Sequence, residues 1–116
     1  MEIINKVINK LNKYEIIKSI GMLEMYQKNY VNTKKILGDN YSIDIFHIAP
    51  FFFQDLERSI EDKIPFIRGL KEQEDFVYFN FNYYKRHIEI EIKTHQHEYF
   101  LSFRKLVDIL NKGFEK

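Results

Sequence analysis

Three histidines and a glutamate in the last third of the sequence could bind a metal ion. His95 and His97 are separated by one residue, and His87 and Glu91 precede them. If one β-strand ran unbroken from His87, all four would share a face, and imidazole nitrogens with a carboxylate suit Zn²⁺ or Ni²⁺. However, neighbours on one strand face are about 6.5–7 Å apart, and Lys93 on that face opposes a cation. We therefore predict a solvated strand face that holds no metal and no cofactor.

Glu91-Ile92-Lys93, with Asp75 upstream, is a second pattern with catalytic chemistry. It resembles the acidic-x-Lys motif of the restriction-endonuclease-like nucleases, which implies acids on a divalent metal and a lysine that helps activate the attacking water. The Pro-Asp element of that family is absent, and alternation alone places Glu-x-Lys on any solvent-facing strand. We predict no catalytic residue. The alternative is a metal-dependent nuclease built on Asp75, Glu89, Glu91 and Lys93.

The aromatic segment from Phe76 to Tyr84 could stack on nucleotide bases. In RNA-recognition sheets such a strand follows a basic residue and a glycine, whereas Glu74 and Asp75 stand here and would repel phosphates. Nucleic-acid binding is therefore disfavoured. Tyr78 and Tyr84 are interpreted as cross-strand partners on the face opposite the core.

Acidic side chains are concentrated in the middle of the chain. Residues 41–75 carry eight acidic and four basic side chains, a net charge of −4, while the whole chain carries +1. A solvated helix face, partly neutralised by Arg58, would explain some of them. Acids beside exposed aromatic anchors also suit a basic protein surface, and this is the interpretation that we prefer. The predicted partner-binding residues are Asp55, Glu57, Glu61, Asp62, Glu72, Glu74, Asp75, Tyr78 and Tyr84.

The first third of the chain is predicted to be helical. Apolar residues recur at spacings of three and four over residues 2–14 and again over residues 15–30, where the second helix could also be the first one extended past a weak point at Gly21. Residues 32–37 fit either a last helical turn or the first arm of a hairpin. The apolar positions of these two stretches are Ile3, Ile4, Val7, Ile8, Leu11, Tyr14, Ile16, Ile17, Ile20, Leu23 and Tyr30.

The remaining chain alternates between strand and helix signals. A strand is predicted over 41–49, and a helix is predicted from Pro50 that stops before Pro65, because a proline pushes the preceding residue out of the α region. A charged loop is then predicted over residues 69–75.

An antiparallel hairpin is predicted over residues 76–94. Val77, Phe79 and Phe81 occupy every second position of its first strand, and the asparagines occupy positions between the apolar ones. A short strand over 98–101 and a helix capped by Ser102 follow.

Length and composition limit the remaining choices. A chain of 116 residues is predicted to form a single domain, 1–116, and 45% apolar residues suffice for a core. The fold class predicted is α+β in two layers, with a mainly antiparallel sheet of 3–5 strands, helices on one face, and helices at both ends. No apolar run is long enough to span a bilayer.

These features together favour a small interaction protein over an enzyme. The absence of cysteine and of a signal peptide predicts a cytoplasmic location. We predict a module that binds and neutralises a partner protein with a basic surface, in the manner of immunity proteins, antitoxins and phage-encoded inhibitors. A toxin nuclease is the partner expected, and the sequence leaves the oligomeric state open.

Overall fold

Four helices and three strands follow one another along the described residues. The computed structural model describes residues 2–37, 63–84 and 87–115, with the backbone alone for 33–37. The predicted strand over 41–49 lies outside these ranges, as does nearly all of the helix predicted from Pro50. The elements are α1 Glu2–Lys10, α2 Lys13–Leu37, α3 Pro65–Lys71, β1 Phe76–Tyr83, β2 Ile88–Thr94, β3 Glu98–Ser102 and α4 Phe103–Phe114.

A capping box separates α1 from α2. The Asn12 side chain accepts a hydrogen bond from the Glu15 N–H at 2.9 Å, and the Glu15 carboxylate accepts one from the Asn12 N–H at 3.1 Å. These bonds satisfy donors that the first turn of α2 would leave unpaired. The break between the helices therefore lies at residues 11–12, so that the predicted second helix is confirmed and the alternative of a first helix extended past Gly21 is wrong.

Helix α2 is longer than its apolar pattern indicated. It continues to Leu37, so that residues 32–37 are helical and not the arm of a hairpin. Its buried face carries Ile16, Leu23, Tyr26 and Tyr30.

Two residues that the sequence pattern assigned to the apolar stripe are exposed instead. Tyr14 is 71% exposed and Ile17 is 55% exposed. Ile17 follows the buried Ile16, and consecutive helical residues point about 100° apart, so only one of the pair can face the core.

The short helix α3 begins at Pro65. Ile64 has extended backbone angles (φ −80°, ψ 113°), as expected for a residue before proline. The helix continues to Lys71, so the loop predicted from Gly69 is wrong for residues 69–71. The reason is tertiary packing, because Leu70 is fully buried and Gly69 lies against Val7 of α1. Turns follow over residues 72–75.

The three strands form one antiparallel sheet in the order β1-β2-β3. The predicted hairpin is confirmed, and the Tyr84 N–H closes it by donating to the His87 carbonyl at 2.9 Å. The predicted third strand is also confirmed, over Glu98–Ser102. The predicted alternation is wrong at Val77, which is exposed. The reason is a β-bulge that places Phe76, and not Val77, opposite Thr94.

The C-terminal helix starts at the predicted cap. The Ser102 hydroxyl accepts a hydrogen bond from the Lys105 N–H at 3.1 Å. From that start, Phe103, Leu106 and Leu110 reach the core at helical spacing.

All four helices of the described chain belong to one layer, and the sheet forms the other. Tyr26 of α2 stacks on Phe81 of β1 with ring centroids 4.8 Å apart, and it meets Phe103 of α4 edge-on at 5.8 Å. On the central strand, Ile88, Ile90 and Ile92 are buried by the helices while the residues between them are not. The two-layer α+β class is therefore confirmed. None of the described helices has the combination of length and apolar character that crossing a lipid bilayer requires.

Candidate functional site

The sheet face turned away from the helices collects most of the polar and aromatic side chains that the sequence singles out. We call it the outer sheet face. Its residues are half-buried or exposed, in contrast to the buried residues that alternate with them. They are Tyr78, Asn80, Asn82, Tyr84, Glu89, Glu91, Lys93, Glu98 and Phe100.

The strand register determines which of these side chains are neighbours. One row across the sheet consists of Tyr78, Lys93 and Glu98, since Tyr78 is opposite Lys93 and Lys93 is opposite Glu98. The next row consists of Asn80, Glu91 and Phe100. Side chains in adjacent rows on one face are close enough to bond diagonally.

Tyr78 contacts two carboxylates, Glu91 diagonally in the next row and Glu98 along its own row. Its Oη lies 2.8 Å from Glu91 Oε2 and 3.1 Å from Glu98 Oε1, and its single proton can be donated to only one of them at a time. The hydrogen bond to Glu91 raises the pKa of Tyr78 to about 12, with desolvation and Glu98 adding to the shift. The same hydrogen bond lowers the pKa of the Glu91 carboxyl, because it stabilises the ionised form.

Asn82 and Tyr84 continue this network along the strand. The Asn82 amide donates to Glu91 at 3.2 Å and to Glu89 at 3.4 Å. The Tyr84 hydroxyl donates to Glu89 at 3.4 Å, and its ring stacks on His87 with centroids 5.1 Å apart. The side chains of the outer sheet face are thus held in place by one another.

The sequence did not single out Glu98 as a site residue of this face, and it did not single out Phe100 either. Phe100 is 53% exposed and lies beside Glu91 on the neighbouring strand. The signal was present, because Leu101 is buried and strand residues alternate between faces, which turns Phe100 outward. Phe100 was not predicted because only the aromatic residues of the segment from Phe76 to Tyr84 were considered as anchors.

The outer sheet face is acidic. Among its described residues are Glu89, Glu91 and Glu98 and one cation, Lys93. Two of these glutamates, Glu89 and Glu91, are next neighbours on one side of β2, and about 6.5–7 Å separates such positions along a strand. The face therefore presents a negative field between aromatic side chains.

The predicted partner-binding residues are distributed over two regions of the described chain. Tyr78 and Tyr84 belong to the outer sheet face, near opposite ends of β1. Glu72, Glu74 and Asp75 belong to the turns before β1. The other four, Asp55, Glu57, Glu61 and Asp62, lie outside the described residues.

The three acids before β1 line a groove of about 590 Å³. Lys6 and Lys10 of α1 line the same groove, together with Glu2. The acids here therefore face lysines of their own chain, and the groove has mixed charge. Counting all its charged residues, the groove has four acids and two lysines, whereas the described outer sheet face has three acids and one lysine.

The residues of the nuclease alternative do not converge. The Asp75 carbonyl accepts a hydrogen bond from the His95 N–H at 2.9 Å, which aligns Asp75 with the far end of β2. Glu89 lies six residues away along that strand, or about 20 Å. No group of three or more histidine, aspartate or glutamate side chains in the described ranges is arranged to hold a metal ion.

The three histidines near β2 are also separated. His87 precedes the strand, whereas His95 and His97 follow it in a turn. The Thr94 hydroxyl holds that turn by accepting a hydrogen bond from the His97 N–H at 2.9 Å. The unbroken strand that a shared histidine face required ends at Thr94.

None of the protein families, curated proteins and solved structures with which the chain was compared matches it. Any functional proposal therefore depends on the side chains just described.

Proposed function

We propose that this chain is a protein-binding module that uses its outer sheet face to engage a basic surface on a partner. The observation that carries the proposal is the combination of three glutamates with exposed aromatic rings on the side of the sheet that the helices leave open. Charge complementarity steers such a partner to the face, and aromatic rings supply the affinity once water is excluded.

The hydrogen bonds within the face support a binding role. Ordering side chains at an interface costs about 0.5–1.5 kcal/mol for each flexible group that becomes fixed. Glu91 and Tyr78 already hold each other in the free chain, so this cost is reduced for both. That hydrogen bond also lowers the pKa of Glu91, which favours the charged form that a lysine or arginine of the partner would bind.

Phe100 and Tyr84 are the proposed aromatic anchors. Both are exposed, and they flank the carboxylates of the central strand. A guanidinium group that reached Glu91 would pass over the Phe100 ring, where cation–π attraction adds to the ion pair. Arginine-rich surfaces are therefore favoured over lysine-rich ones.

The finer proposal is that the partner is a nucleic-acid-cleaving toxin that the module neutralises. An enzyme that binds phosphates needs a basic cleft, and a sheet face with carboxylates at strand spacing could occlude one. Glu72, Glu74 and Asp75 would extend the contact at its rim, and Asp55, Glu57, Glu61 and Asp62 remain predicted contributors. A cytoplasmic site of action is part of the same proposal, in line with a sequence that has no cysteine.

Peptide selection tests the proposal without a known partner. Random peptides displayed on phage are selected against the immobilised chain, and we expect the recovered sequences to be enriched in arginine and aromatic residues. The double variant Glu91→Gln/Glu98→Gln should lose these peptides. The matched control, Asp108→Asn/Glu115→Gln, removes the same charge from exposed positions at α4 and should retain them.

Two outcomes would contradict the proposal. One is a set of peptides with no excess of basic residues. The other is an equal loss of peptide binding in the Glu91→Gln/Glu98→Gln variant and in the α4 control, which would show that the peptides respond to net charge alone.

Purified basic nuclease domains then test the finer proposal. The wild-type chain should slow their cleavage of RNA or plasmid DNA, and the Glu91→Gln/Glu98→Gln variant should not. If instead the chain itself cleaved or retained nucleic acid, the nuclease or nucleic-acid-binding alternative would replace the proposal.

A further inference from the structure

Strand β3 forms an open edge of the sheet. It pairs with β2 on one side, and no strand of the described chain lies on its other side. An edge strand carries backbone N–H and C=O groups that no neighbouring strand uses. The side chains at this edge are accessible, because Glu98 is exposed and Phe100 is 53% exposed.

The hydrogen bonds between β2 and β3 determine which residues carry these open groups. In an antiparallel pair, every second pair of opposite residues exchanges backbone hydrogen bonds. The Thr94 N–H donates to the His97 carbonyl at 2.8 Å, so these two residues form a bonded pair. The next bonded pair, two residues further along each strand, is Ile92 with Tyr99, and the alternation continues to Leu101.

Glu98 and Phe100 lie between the bonded residues of β3. Their backbone N–H and C=O groups therefore point away from β2, toward the open edge. Their side chains belong to the outer sheet face. The same two residues thus offer an incoming strand both its backbone partners and an acidic and an aromatic side chain.

The opposite edge of the sheet, on β1, does not combine these properties. The Tyr84 N–H donates to the His87 carbonyl, and the same alternation directs the backbone groups of Phe79 and Phe81 away from β2. The side chains of Phe79 and Phe81 are buried against the helices and do not belong to the outer sheet face. β1 also contains the bulge near Phe76, and bulges hinder the pairing of an edge with a further strand.

We propose that β3 is the docking edge for an extended basic segment of the partner, which adds to the described sheet as a further strand antiparallel to β3. The inference rests on the proposed function, because it specifies how a basic partner meets the outer sheet face. In this mode of recognition, main-chain hydrogen bonds supply affinity and alternate side chains supply specificity. Antiparallel addition is favoured, because antiparallel pairing is the more stable and all three described strands pair in this way.

The register of the added strand specifies its side chains. The residue opposite Glu98 lies on the outer sheet face, where a lysine or arginine forms an ion pair with it. An arginine opposite Phe100 lies in the same row as Phe100 and Glu91, so its guanidinium crosses the ring toward that carboxylate. The residues between them turn to the other face, beside Tyr99 and Leu101, which pack on the core. The expected segment therefore alternates basic and apolar residues.

A second copy of β3 does not meet this requirement. The strand Glu98–Ser102 contains no lysine or arginine, so it offers Glu98 no cation. Antiparallel pairing of two copies would also join two acidic outer sheet faces into one, and like charges oppose such an association. The charges at this edge therefore select a basic strand from another protein.

Backbone N-methylation tests strand addition without changing any side chain or charge. The probe is a fluorescein-labelled synthetic peptide in which arginine and valine alternate, and fluorescence anisotropy measures its Kd for the full chain. In the proposed register, the arginine N–H groups point at β3 and the valine N–H groups point to solvent. N-methylation of the arginines should raise the Kd about tenfold or more, whereas N-methylation of the valines should change it by less than about twofold.

Amide hydrogen exchange followed by NMR locates the bound peptide. In the free chain, the amides of Glu98 and Phe100 should exchange faster than those of Tyr99 and Leu101, which donate to β2. Excess peptide should slow the exchange of Glu98 and Phe100. A peptide held by its charge alone would leave these two amides unprotected, and that result would contradict strand addition.

The variant Glu91→Gln/Glu98→Gln separates this inference from the proposed function. It should weaken binding of the unmethylated peptide, because it removes the carboxylates. Equal binding by the variant and the wild type would refute the proposed function, and the choice of a basic strand with it. If both methylated peptides bound the wild type as tightly as the unmethylated one, strand addition would be wrong while the proposed function stood.

Three other results would overturn the inference. One is a peptide that does not bind the wild-type chain. Another is a loss of binding on N-methylation of the valines, which would indicate a parallel strand. The third is slow exchange of the Glu98 and Phe100 amides in the free chain, which would show that the edge is already occupied.

Discussion

The Ser19 hydroxyl on α2 caps the first turn of α3 by accepting a hydrogen bond from the Phe66 N–H, 3.1 Å away. It also donates to the Glu15 carbonyl at 2.7 Å. Ile64, the residue before Pro65, provides no side-chain cap for α3. A buried serine from another helix therefore replaces the local cap that α3 lacks.

Ser19→Ala should lower the free energy of unfolding by about 1–3 kcal/mol, because it leaves the buried Phe66 N–H without an acceptor. Urea denaturation measures the loss. The comparison is Ser102→Ala, which removes the more accessible cap of α4 and should cost about 1 kcal/mol. If Ser19→Ala lowered the free energy of unfolding by less than Ser102→Ala does, this account of the α2–α3 contact would be contradicted.

Gly69→Ala should destabilise the chain even though alanine is the better helix former. A Cβ at Gly69 would lie 2.7 Å from Val7 Cγ1, so α1 and α3 would have to separate at a cost of about 1–3 kcal/mol. Gly21→Ala is the matched control, because its Cβ meets no atom and the change should stabilise by about 0.5–1 kcal/mol. Thermal unfolding at low micromolar concentration compares the two variants, and shifts of the same sign would disprove the packing argument.

Asn12→Ala should lower stability by about 1 kcal/mol, because it removes one half of the capping box that starts α2. Glu15→Gln, which keeps an oxygen acceptor for the Asn12 N–H, should cost much less. Denaturant midpoints of the two variants and the wild type provide the measurement. Equal losses for both would mean that the charge of Glu15 matters more than its hydrogen bond.

The Tyr78 hydroxyl should ionise at about pH 12 in the folded chain. Because its pKa is raised above the usual value of 10, its contribution to stability is complete below pH 10 and is lost as the pH rises toward 12. The ¹³Cζ shift of Tyr78 follows this titration. Glu91→Gln should move the pKa back toward 10 because it removes the carboxylate acceptor, whereas Glu115→Gln should leave it unchanged.

The secondary structure around the hairpin was predictable because a half-buried sheet imposes a period of two on the sequence. Phe79, Phe81 and Ile90 are buried in accordance with that period. Val77 was not predictable, since the bulge that exposes it depends on how β1 aligns with β2 and leaves the alternation unchanged. Adjacent isoleucines at 16 and 17 were ambiguous for a related reason, because the orientation of α2 on the sheet decides which one is buried.

The candidate site was predictable in part. Alternation alone placed Tyr78 and Tyr84 on one face, which the structure confirms. The contact between Tyr78 and Glu91 requires the register that follows the bulge, and a shift of one residue would turn one of them to the opposite face. The acids before β1 were predicted as part of an acidic patch, and the presence of Lys6 and Lys10 in the same groove was not predictable, because the contact is between segments far apart in sequence.

The contact between Ile8 of α1 and Gly113 of α4 joins segments from near the two ends of the chain. During synthesis on a ribosome, α1 emerges long before the residues that cover it. The part of its apolar side that α4 covers stays exposed, or bound by a chaperone, until α4 has been translated. The native fold is therefore completed only once α4 has been translated, and assembly should be slower than for a bundle of helices that pack on their sequence neighbours.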